Sequence, residues 1–375
     1  MQVRTCVAFS ARDRAACLSR ASRVSLVGLR PQTHRTSALR LLVLELWGLG
    51  DTVFALPFLR AAAAARHQVT LLGPSRSVAL LRRFAPTVDC IPVKAPWTSA
   101  RGAYRFASWP WGALRRITAE LRLRGFDTAV SARPDPRDHL WLRLSGAARR
   151  ISPRHPASAW LLTDPLLPTA HSAARSEPWS RLATSLELEL EPPPERTTPP
   201  RERLVVVHLG AGESGLSWPR DRWDEVVTHL RRRRWEVVVL DDSLTDTDRL
   251  IATLAPARGF IGNDSGAGHL AAFLGIPTFT VFGPGIPAFN APRHPEAAWR
   301  EGAPCIHKPC GGACRFREPH CLLGVAAADT CQAIDVWLRT LTIAAGTPAP
   351  SLDPGASFAS SIAVNATGAQ VALHF

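Results

Sequence analysis

Short continuous apolar runs alternate with longer amphipathic segments in the first half of the chain. The apolar runs, typical of strands buried on both faces, are LRLLVLEL (Leu39 to Leu46), QVTLLGP, VDCIPV and FDTAVSA. The segments between them that predict helices are TVFALPFLRAAAAARH, SRSVALLRRF and GALRRITAELRLRG. This alternation of short strands with longer helices predicts a parallel α/β sheet.

The same alternation restarts in the second half. LVVVHLGAG predicts a strand and a turn, PRDRWDEVVTHLRRR a helix, and WEVVVLD a second strand. The stretch FIGNDSGAGHLAAFLGIPTFTVFGP predicts a strand, a small-residue turn, a short apolar helix and another strand. Between the halves, LEPPPERTTPPRER cannot hold a regular helix, because its prolines lack amide donors and restrict the residues before them.

A chain of 375 residues is long enough for two domains. We therefore expect an α/β fold of two Rossmann-like, doubly wound domains. The expected segments are an extension at 1–39, a first domain at 40–189, a proline-rich linker at 190–203, a second domain at 204–343 and a flexible tail at 344–375. The extension is rich in Arg, Ser and Ala and has no apolar run long enough for a secretory signal. It fits a disordered extension or a start site set too far upstream, and it also has the composition of an organelle transit peptide.

The charge of the chain favours an anionic partner. Lys and Arg number 45 against 31 Asp and Glu, for a formal charge of +14. The sign alone does not choose among nucleic acid, nucleotide and acidic membrane surface, and it can equally reflect composition. The basic residues do not interleave with aromatics in a nucleic-acid module, so we expect no nucleic-acid partner. No apolar run reaches the roughly 18 residues of a membrane-spanning helix, so we expect a soluble protein that contacts membranes at most peripherally.

Four of the eight cysteines cluster in the second half, at Cys305, Cys310, Cys314 and Cys321. Their spacing does not reproduce the paired C-x-x-C knuckles of structural zinc sites. Reduced, packed thiols are therefore the favoured interpretation and a metal site the alternative.

The turn NDSGAGH has the chemistry of a diphosphate site. Ser265 can cap the helix that begins near Gly266, the glycines let a ligand approach the backbone, and free amides at a helix start attract a phosphate. His269, one turn into the helix, can donate a further hydrogen bond, and Asp264 is available for a hydroxyl or for fixing the loop. The alternative is a well-capped core helix with no ligand.

The turn WGLGDT is the second candidate. Its glycines have G-x-G spacing, but Val53 stands where a dinucleotide fingerprint has its third glycine. No acid ends the following strand QVTLLGP, where a ribose ligand would be expected, so a nicotinamide enzyme is disfavoured. Asp51 stands at the carboxyl end of the first strand, where it can be a catalytic base or a helix cap.

Together these motifs resemble the ADP-heptose:lipopolysaccharide heptosyltransferases and their relatives, glycosyltransferase family nine. The matching features run in family order over roughly residues 40 to 340: GLGDTVFALPFLRA, HLGAG with SWPRDRW, GNDSGAGHLAAFLGIPTFTVFGP, and PCGGACRFREPHCL. The resemblance implies a GT-B architecture, with the acceptor bound mainly by the first domain and the nucleotide-sugar by the second.

The resemblance also implies roles for individual residues. Asp51 would be the general base that deprotonates the acceptor hydroxyl in an inverting transfer. The implied donor-binding residues are His208, Gly210, Gly212, Trp218, Asp264, Ser265, Gly266 and His269. The implied donor is a nucleotide-diphosphate sugar, heptose-like and ADP-linked, and the acceptor is a cell-envelope glycolipid such as lipopolysaccharide core. No metal or other cofactor is implied, and a bacterial cytoplasmic location, at most peripheral to the inner membrane, is expected.

Three departures from the family pattern are present, and two of them, Leu216 and the shortened second domain, favour a second hypothesis. Leu216 stands where relatives commonly have a lysine two places before Trp-Pro, with Arg220 or Arg222 as conceivable substitutes. Glu45 stands where a basic residue often precedes the first glycines. Between Asp241 and Gly262 the chain has room for about one helix, so one βα unit is missing. The alternative is therefore a catalytically weak relative that binds nucleotide or glycan without turnover.

Overall fold

The computed structural model describes residues 38–98, 105–169, 174–210, 217–241, 243–310 and 314–344. The predicted extension and tail lie almost entirely outside these residues. Six parallel strands of the first half form one sheet: β1 (Arg40–Leu44), β2 (Gln68–Gly73), β3 (Asp89–Pro92), β4 (Thr128–Ser131), β5 (Arg149–Pro153) and β6 (Asp164–Leu166). Their spatial order, β3-β2-β1-β4-β5-β6, is that of a doubly wound sheet.

Five helices accompany this sheet: α1 (Leu49–Ala64), α2 (Ser77–Phe84), α3 (Trp111–Arg124), α4 (Pro136–Leu144) and α5 (Glu177–Ser185). We call β1 to α5 the first lobe. The interiors of β1 and β4 are buried on both faces, as their apolar runs predict. Short 3₁₀ turns occur at Pro96–Thr98, Phe106–Ser108 and Ala159–Leu161.

The second lobe, β7 to α11, contains a smaller parallel sheet. Its strands are β7 (Leu204–His208), β8 (Glu236–Leu240), β9 (Gly259–Asn263), β10 (Thr278–Phe282) and β11 (Ala298–Glu301). Its helices are α6 (Arg220–Arg232), α7 (Thr247–Leu254), α8 (Gly266–Phe273), α9 (Pro287–Asn290), α10 (His320–Leu323) and α11 (Ala327–Ala344). The order β11-β10-β9-β7-β8 is the order of the first sheet without its third strand, and α7 is the one helix between β8 and β9. The predicted two-lobed, doubly wound fold is confirmed.

Several elements were missing from the sequence prediction, chiefly between residues 132 and 189. Strands β5 and β6 escape a search for apolar runs because they are short and contain Arg, Asp and Pro. The start of α4 does carry a local signal. Asp135 is its N-cap and accepts a hydrogen bond from the Arg137 amide, while Pro136 occupies the first helical position.

The two lobes share a continuous apolar core. The rings of Phe84 on α2 and Phe273 on α8 pack at a centroid distance of 5.2 Å, within a buried cluster that draws on both lobes. Arg82 on α2 also forms an ion pair with Asp248 on α7. Within the described part of the chain, no helix combines the length and apolarity that crossing a bilayer requires.

The first turns of α1 and α8 meet at two glycines. A Cβ on Gly266 would lie 2.8 Å from the amide nitrogen of Gly50, and a Cβ on Gly50 would lie 3.1 Å from the Cα of Gly266. The distance for Gly266 is too short for a Cβ against backbone, and a Cβ on Gly50 would in addition lie 2.8 Å from Cδ2 of the buried His269, so both positions favour glycine. It brings the N-terminus of a first-lobe helix against that of a second-lobe helix.

We expect Gly266→Ala to destabilise the protein by about 1–3 kcal/mol, the usual cost of overpacking. Gly112→Ala is the matched control. It lies in the first turn of α3, and its Cβ would have its nearest neighbour at 4.0 Å, so it should be neutral or stabilise by up to about 1 kcal/mol. Urea unfolding measures both, and equal stabilities of the two variants would contradict the packing argument.

Candidate active site

Asp51 lies in the first turn of α1 at the carboxyl end of β1, and its two carboxylate oxygens have different partners. Oδ2 accepts the Gly48 amide at 3.1 Å, which completes the helix cap. Oδ1 accepts Arg133 at 2.5 Å and Arg175 at 3.1 Å. The helix-cap interpretation therefore holds for one oxygen, while the other faces an open cleft with two guanidinium groups.

The charge state of Asp51 follows from these contacts. Burial raises its pKa, but Arg133 and Arg175 more than offset burial and hold the pKa below its ordinary value. The carboxylate is therefore ionised at neutral pH and able to accept a proton. A cavity of about 190 Å³ opens beside it, lined by Glu45, Asp51, Phe54, Ala132, Arg133, Pro134, Thr169, Ala174, Arg175, Pro178 and Trp179.

Two buried carboxyl groups lie behind Asp51. Burial raises the pKa of Glu45 to about 8, against the opposing effect of Arg133, whose Nε is 3.9 Å away. Burial also raises the pKa of Asp138, on α4, to about 7, and Ser131 donates a hydrogen bond to it. Arg133 thus lies among three carboxyl groups, and its guanidinium stacks over the Trp47 ring at 4.5 Å.

The predicted diphosphate turn begins α8, whose first residue, Gly266, contacts Gly50 next to Asp51. Ser265 occupies the N-cap position with extended backbone, but its side chain does not cap the helix. Its hydroxyl lies 3.3 Å from Nδ1 of His208, at the end of β7. The predicted capping by the Ser265 side chain is therefore wrong, and α8 begins without a side-chain cap. Uncapped amides at a helix start are a binding site for anions.

His269 is buried between the lobes. Its ring packs on Phe54 at a centroid distance of 4.6 Å, and its Nδ1 has no hydrogen-bond partner among the described residues. Burial lowers its pKa to about 4, so the imidazole is neutral at pH 7. Nε2 lies 3.9 Å from Asp264, whose pKa burial raises to about 6. A Cβ on Gly285 would lie 2.5 Å from that carboxylate, which places Asp264 against the loop after β10.

A larger cavity of about 550 Å³ lies where β7 and β8 end, lined by Leu209, Gly210, Ser217, Trp218, Pro219, Arg220, Trp223, Asp241 and Ser243. Of the predicted donor-binding residues, Gly210 and Trp218 line this cavity, whereas His208, Asp264, Ser265, Gly266 and His269 lie at the α8 turn. Gly212 lies outside the described residues. Trp218 is 2% exposed, and its indole donates to the Val325 carbonyl at 3.1 Å, so it also anchors the start of α6.

The departures noted in the sequence have structural outcomes. Arg222 donates to the carbonyls of Leu323 and Val325, both at 2.6 Å, and these contacts tie it to the fold rather than to the cavity. Arg220 lines the larger cavity and pairs with Asp224 at 3.2 Å. Leu216 lies outside the described residues.

The cysteine cluster is brought together by the fold. Burial raises the pKa of Cys321, and the thiols of Cys305, Cys310 and Cys314 act on it electrostatically. All four are free thiols. In the ranges that the structure describes, no group of three or more His, Cys, Asp or Glu side chains is arranged to hold a metal ion. That the protein has no metal site stays a prediction.

Several residues that build the site were not predicted from the sequence. Asn263, at the end of β9, accepts the Trp218 amide at 2.9 Å and donates to the Leu209 carbonyl at 2.8 Å, which fixes the wall of the larger cavity. Asp241 directly follows an apolar strand, a local signal that could have identified it. Arg133 carries the same signal, because it directly follows the predicted strand FDTAVSA. Arg175 carried no local signal, because its proximity to Asp51 depends on how the chain folds after β6.

Comparisons with known proteins agree with this architecture. The model of glycosyltransferase family 9 (heptosyltransferase) matches residues 243–311. Lipopolysaccharide heptosyltransferase 1 of Pseudomonas aeruginosa is 29% identical over 133 residues, which cover 28% of this chain and 37% of that protein. The match thus spans little more than a third of this curated relative.

Similarity to solved structures extends further along the chain. A family 9 glycosyl transferase from Veillonella parvula has a TM-score of 0.63 at 17% identity and covers 80% of this chain and 98% of its own. The heptosyltransferase WaaC of E. coli with ADP has a TM-score of 0.59 at 18% identity, and the match covers 80% of this chain and 100% of WaaC. ADP-heptose lps heptosyltransferase II of E. coli has a TM-score of 0.58 at 17% identity, and the match covers 80% of this chain and 99% of that enzyme.

The fold and the cleft thus define a protein of GT-B architecture, as the sequence predicts. The resemblance to glycosyltransferase family 9 is confirmed by the family match, by the curated relative and by the solved heptosyltransferase structures.

The buried carboxyl of Glu45 predicts a pH dependence of stability. In the unfolded chain Glu45 ionises near its ordinary pKa of 4.5, whereas in the folded protein its pKa is about 8. Between these values the folded state retains a proton that the unfolded state has lost. The contribution of Glu45 to the free energy of unfolding therefore falls as pH rises through this window.

We expect Glu45→Gln to remove this loss. The free energy of unfolding of Glu45→Gln, relative to that of the wild type, should rise between about pH 5 and 8, with a slope of at most about 1.4 kcal/mol per pH unit. Urea unfolding at several pH values measures the difference, with the exposed residue Glu195, as Glu195→Gln, for a charge-matched control. Parallel stability curves for Glu45→Gln and the wild type would show that the carboxyl does not retain its proton.

Proposed function

We propose that the protein is an inverting glycosyltransferase that moves a sugar from a nucleotide-diphosphate donor to a hydroxyl of a cell-envelope glycolipid. One observation carries the proposal: the ionised carboxylate of Asp51 directly follows Gly50, which contacts Gly266, the first residue of α8. An acceptor hydroxyl beside Asp51 and a diphosphate at the α8 amides would lie on either side of a transferred sugar, as inversion requires.

The proposed mechanism divides the work between the lobes. Asp51 accepts the proton of the attacking hydroxyl in the smaller cavity. The amides that begin α8, together with neutral His269, hold the diphosphate as it leaves and gains charge. The larger cavity, with Asp241 and Gly210 in its wall, receives the nucleoside. We assign no metal or other cofactor to the reaction, because helix amides and guanidinium groups can stabilise the leaving charge.

The relatives support a finer proposal for the substrates. A solved structure of WaaC contains ADP-2-deoxy-2-fluoro heptose, and the curated relative is a lipopolysaccharide heptosyltransferase. We therefore propose an ADP-linked, heptose-like donor and an acceptor in lipopolysaccharide core. The positive charge of the chain suits an anionic acceptor, and we propose a bacterial cytoplasmic location with peripheral contact to the inner membrane.

The second candidate is a relative that binds nucleotide or glycan without turnover. It is favoured by the second sheet, which lacks the third strand of a doubly wound order. It is also favoured by the two guanidinium groups on Asp51, which make the carboxylate a weaker base. A screen of ADP-, GDP- and UDP-sugars for binding, followed by analysis of products with the best donor, separates the two candidates.

We expect Asp51→Asn to lower turnover by about 100- to 10,000-fold, because the amide cannot accept the proton. Donor affinity should remain near that of the wild type. The asparagine side chain keeps an oxygen that can accept the Gly48 amide, so a thermal melt checks that the α1 cap survives. Wild-type turnover in a folded Asp51→Asn protein would remove Asp51 from the role of base.

A further inference from the structure

We propose that Arg175, which the first lobe contributes to the cleft, binds the donor diphosphate directly and supplies the main positive charge for it. This inference rests on the proposed function and assigns a substrate-binding role to a residue outside the sequence motifs. The diphosphate it binds is the one held at the N-terminus of α8.

The position of Arg175 fits this role. Its backbone amide donates to the Phe289 carbonyl of α9 at 3.4 Å, which holds the chain of the first lobe against the second. Its guanidinium reaches Asp51 at 3.1 Å. The side chain is 47% exposed, against 16% for Asp51. The backbone of Arg175 is held by its hydrogen bond to Phe289, whereas the exposed guanidinium can move within the cleft.

The reach of Arg175 extends to the α8 turn. Burial is the larger influence, and it raises the pKa of Asp264 and lowers that of His269. The charge of Arg175 lowers the pKa of both groups. Arg175 is therefore close enough to act on the residues that surround the proposed diphosphate.

The cleft needs such a cation when a diphosphate enters it. The carboxylates of Asp51 and Asp264 both lie beside the first turn of α8, and His269 is neutral at pH 7 because burial lowers its pKa to about 4. A diphosphate bound to the helix amides alone would meet two carboxylates, and the guanidinium of Arg133 is already paired with one of them, Asp51. A guanidinium can neutralise it and can form two parallel hydrogen bonds to phosphate oxygens.

The other arginines around the two cavities are less suited to this task. Arg133 lies 2.5 Å from Asp51, stacks on Trp47 and is needed by Glu45 and Asp138. Arg222 is engaged by two backbone carbonyls of the second lobe. Arg220 is paired within α6 and lies at the nucleoside end. Arg175 is exposed, and its charge reaches the α8 turn. Its partner Asp51 still has Arg133 when Arg175 moves away.

Movement of Arg175 also couples donor binding to the base. When the guanidinium turns from Asp51 to the diphosphate, Asp51 loses one of the two cations that lower its pKa. The carboxylate then becomes a stronger base at the moment when a donor is present. Arg133 keeps it in place.

The test uses two probes, inorganic pyrophosphate, which does not depend on the base of the nucleotide, and ADP. Their affinities are measured by calorimetry for wild type, Arg175→Gln, Arg175→Lys and Arg201→Gln. Arg201 pairs with Glu236 at the amino end of the second sheet, is 60% exposed, and serves as the charge-matched control.

We expect Arg175→Gln to weaken binding of both probes by about ten- to a hundredfold, the loss of a hydrogen bond to a charged group. Arg175→Lys should lie between Arg175→Gln and the wild type, because it keeps the charge and loses the planar fork. Arg201→Gln should bind like the wild type. Thermal melts establish that each variant is folded.

The outcomes separate the two proposals. If the wild type binds the probes and transfers sugar while folded Arg175→Gln binds them equally well, the Arg175 assignment is wrong and the proposed function stands. If Arg175→Gln does not fold, wild-type affinity in Arg175→Lys overturns the assignment. An equal loss in Arg201→Gln would reduce the effect to net charge and also overturn it. If the wild type binds neither probe, both proposals fail.

Discussion

The contact between Gly50 and Gly266 is the constraint on which the site depends. Two helix N-termini from different lobes meet there, at distances that leave no room for a Cβ on either residue. Because both helices begin at the carboxyl ends of sheet strands, the contact joins the ligand-binding edges of the two sheets. Asp51 and the first turn of α8 are thereby brought close together, although more than 200 residues separate them in the chain.

The apolar core supports this arrangement. The packing of Phe84 on Phe273 and the buried cluster around it continue from the first lobe into the second. Helix α7 packs next to α2 and adds the ion pair of Asp248 with Arg82. The shortened second lobe thus still shares a large buried apolar cluster with the first.

Electrostatics sets what the cleft can do. Three carboxyl groups, Glu45, Asp51 and Asp138, surround Arg133, and burial raises the pKa of the two that lie deepest. Asp51 differs because two guanidinium groups reach it and lower its pKa. It is therefore ionised at pH values at which Glu45 and Asp138 still retain their protons. An ionised carboxylate can accept a proton, and the two neighbouring guanidinium groups lower its basicity.

The sequence by itself determined the parallel α/β class, the two lobes, the missing unit between β8 and β9, and the turns that hold Asp51 and Ser265. These features are local, because apolar runs, glycine spacing and proline-rich segments act within a few residues. Only the tertiary structure decided that Arg133 and Arg175 reach Asp51, that Asn263 joins two loops, and that Ser265 turns to His208 instead of capping α8. Those contacts depend on strand order and lobe packing, and residues such as Arg175 carry no pattern in their own neighbourhood that distinguishes them from the many other arginines of the chain.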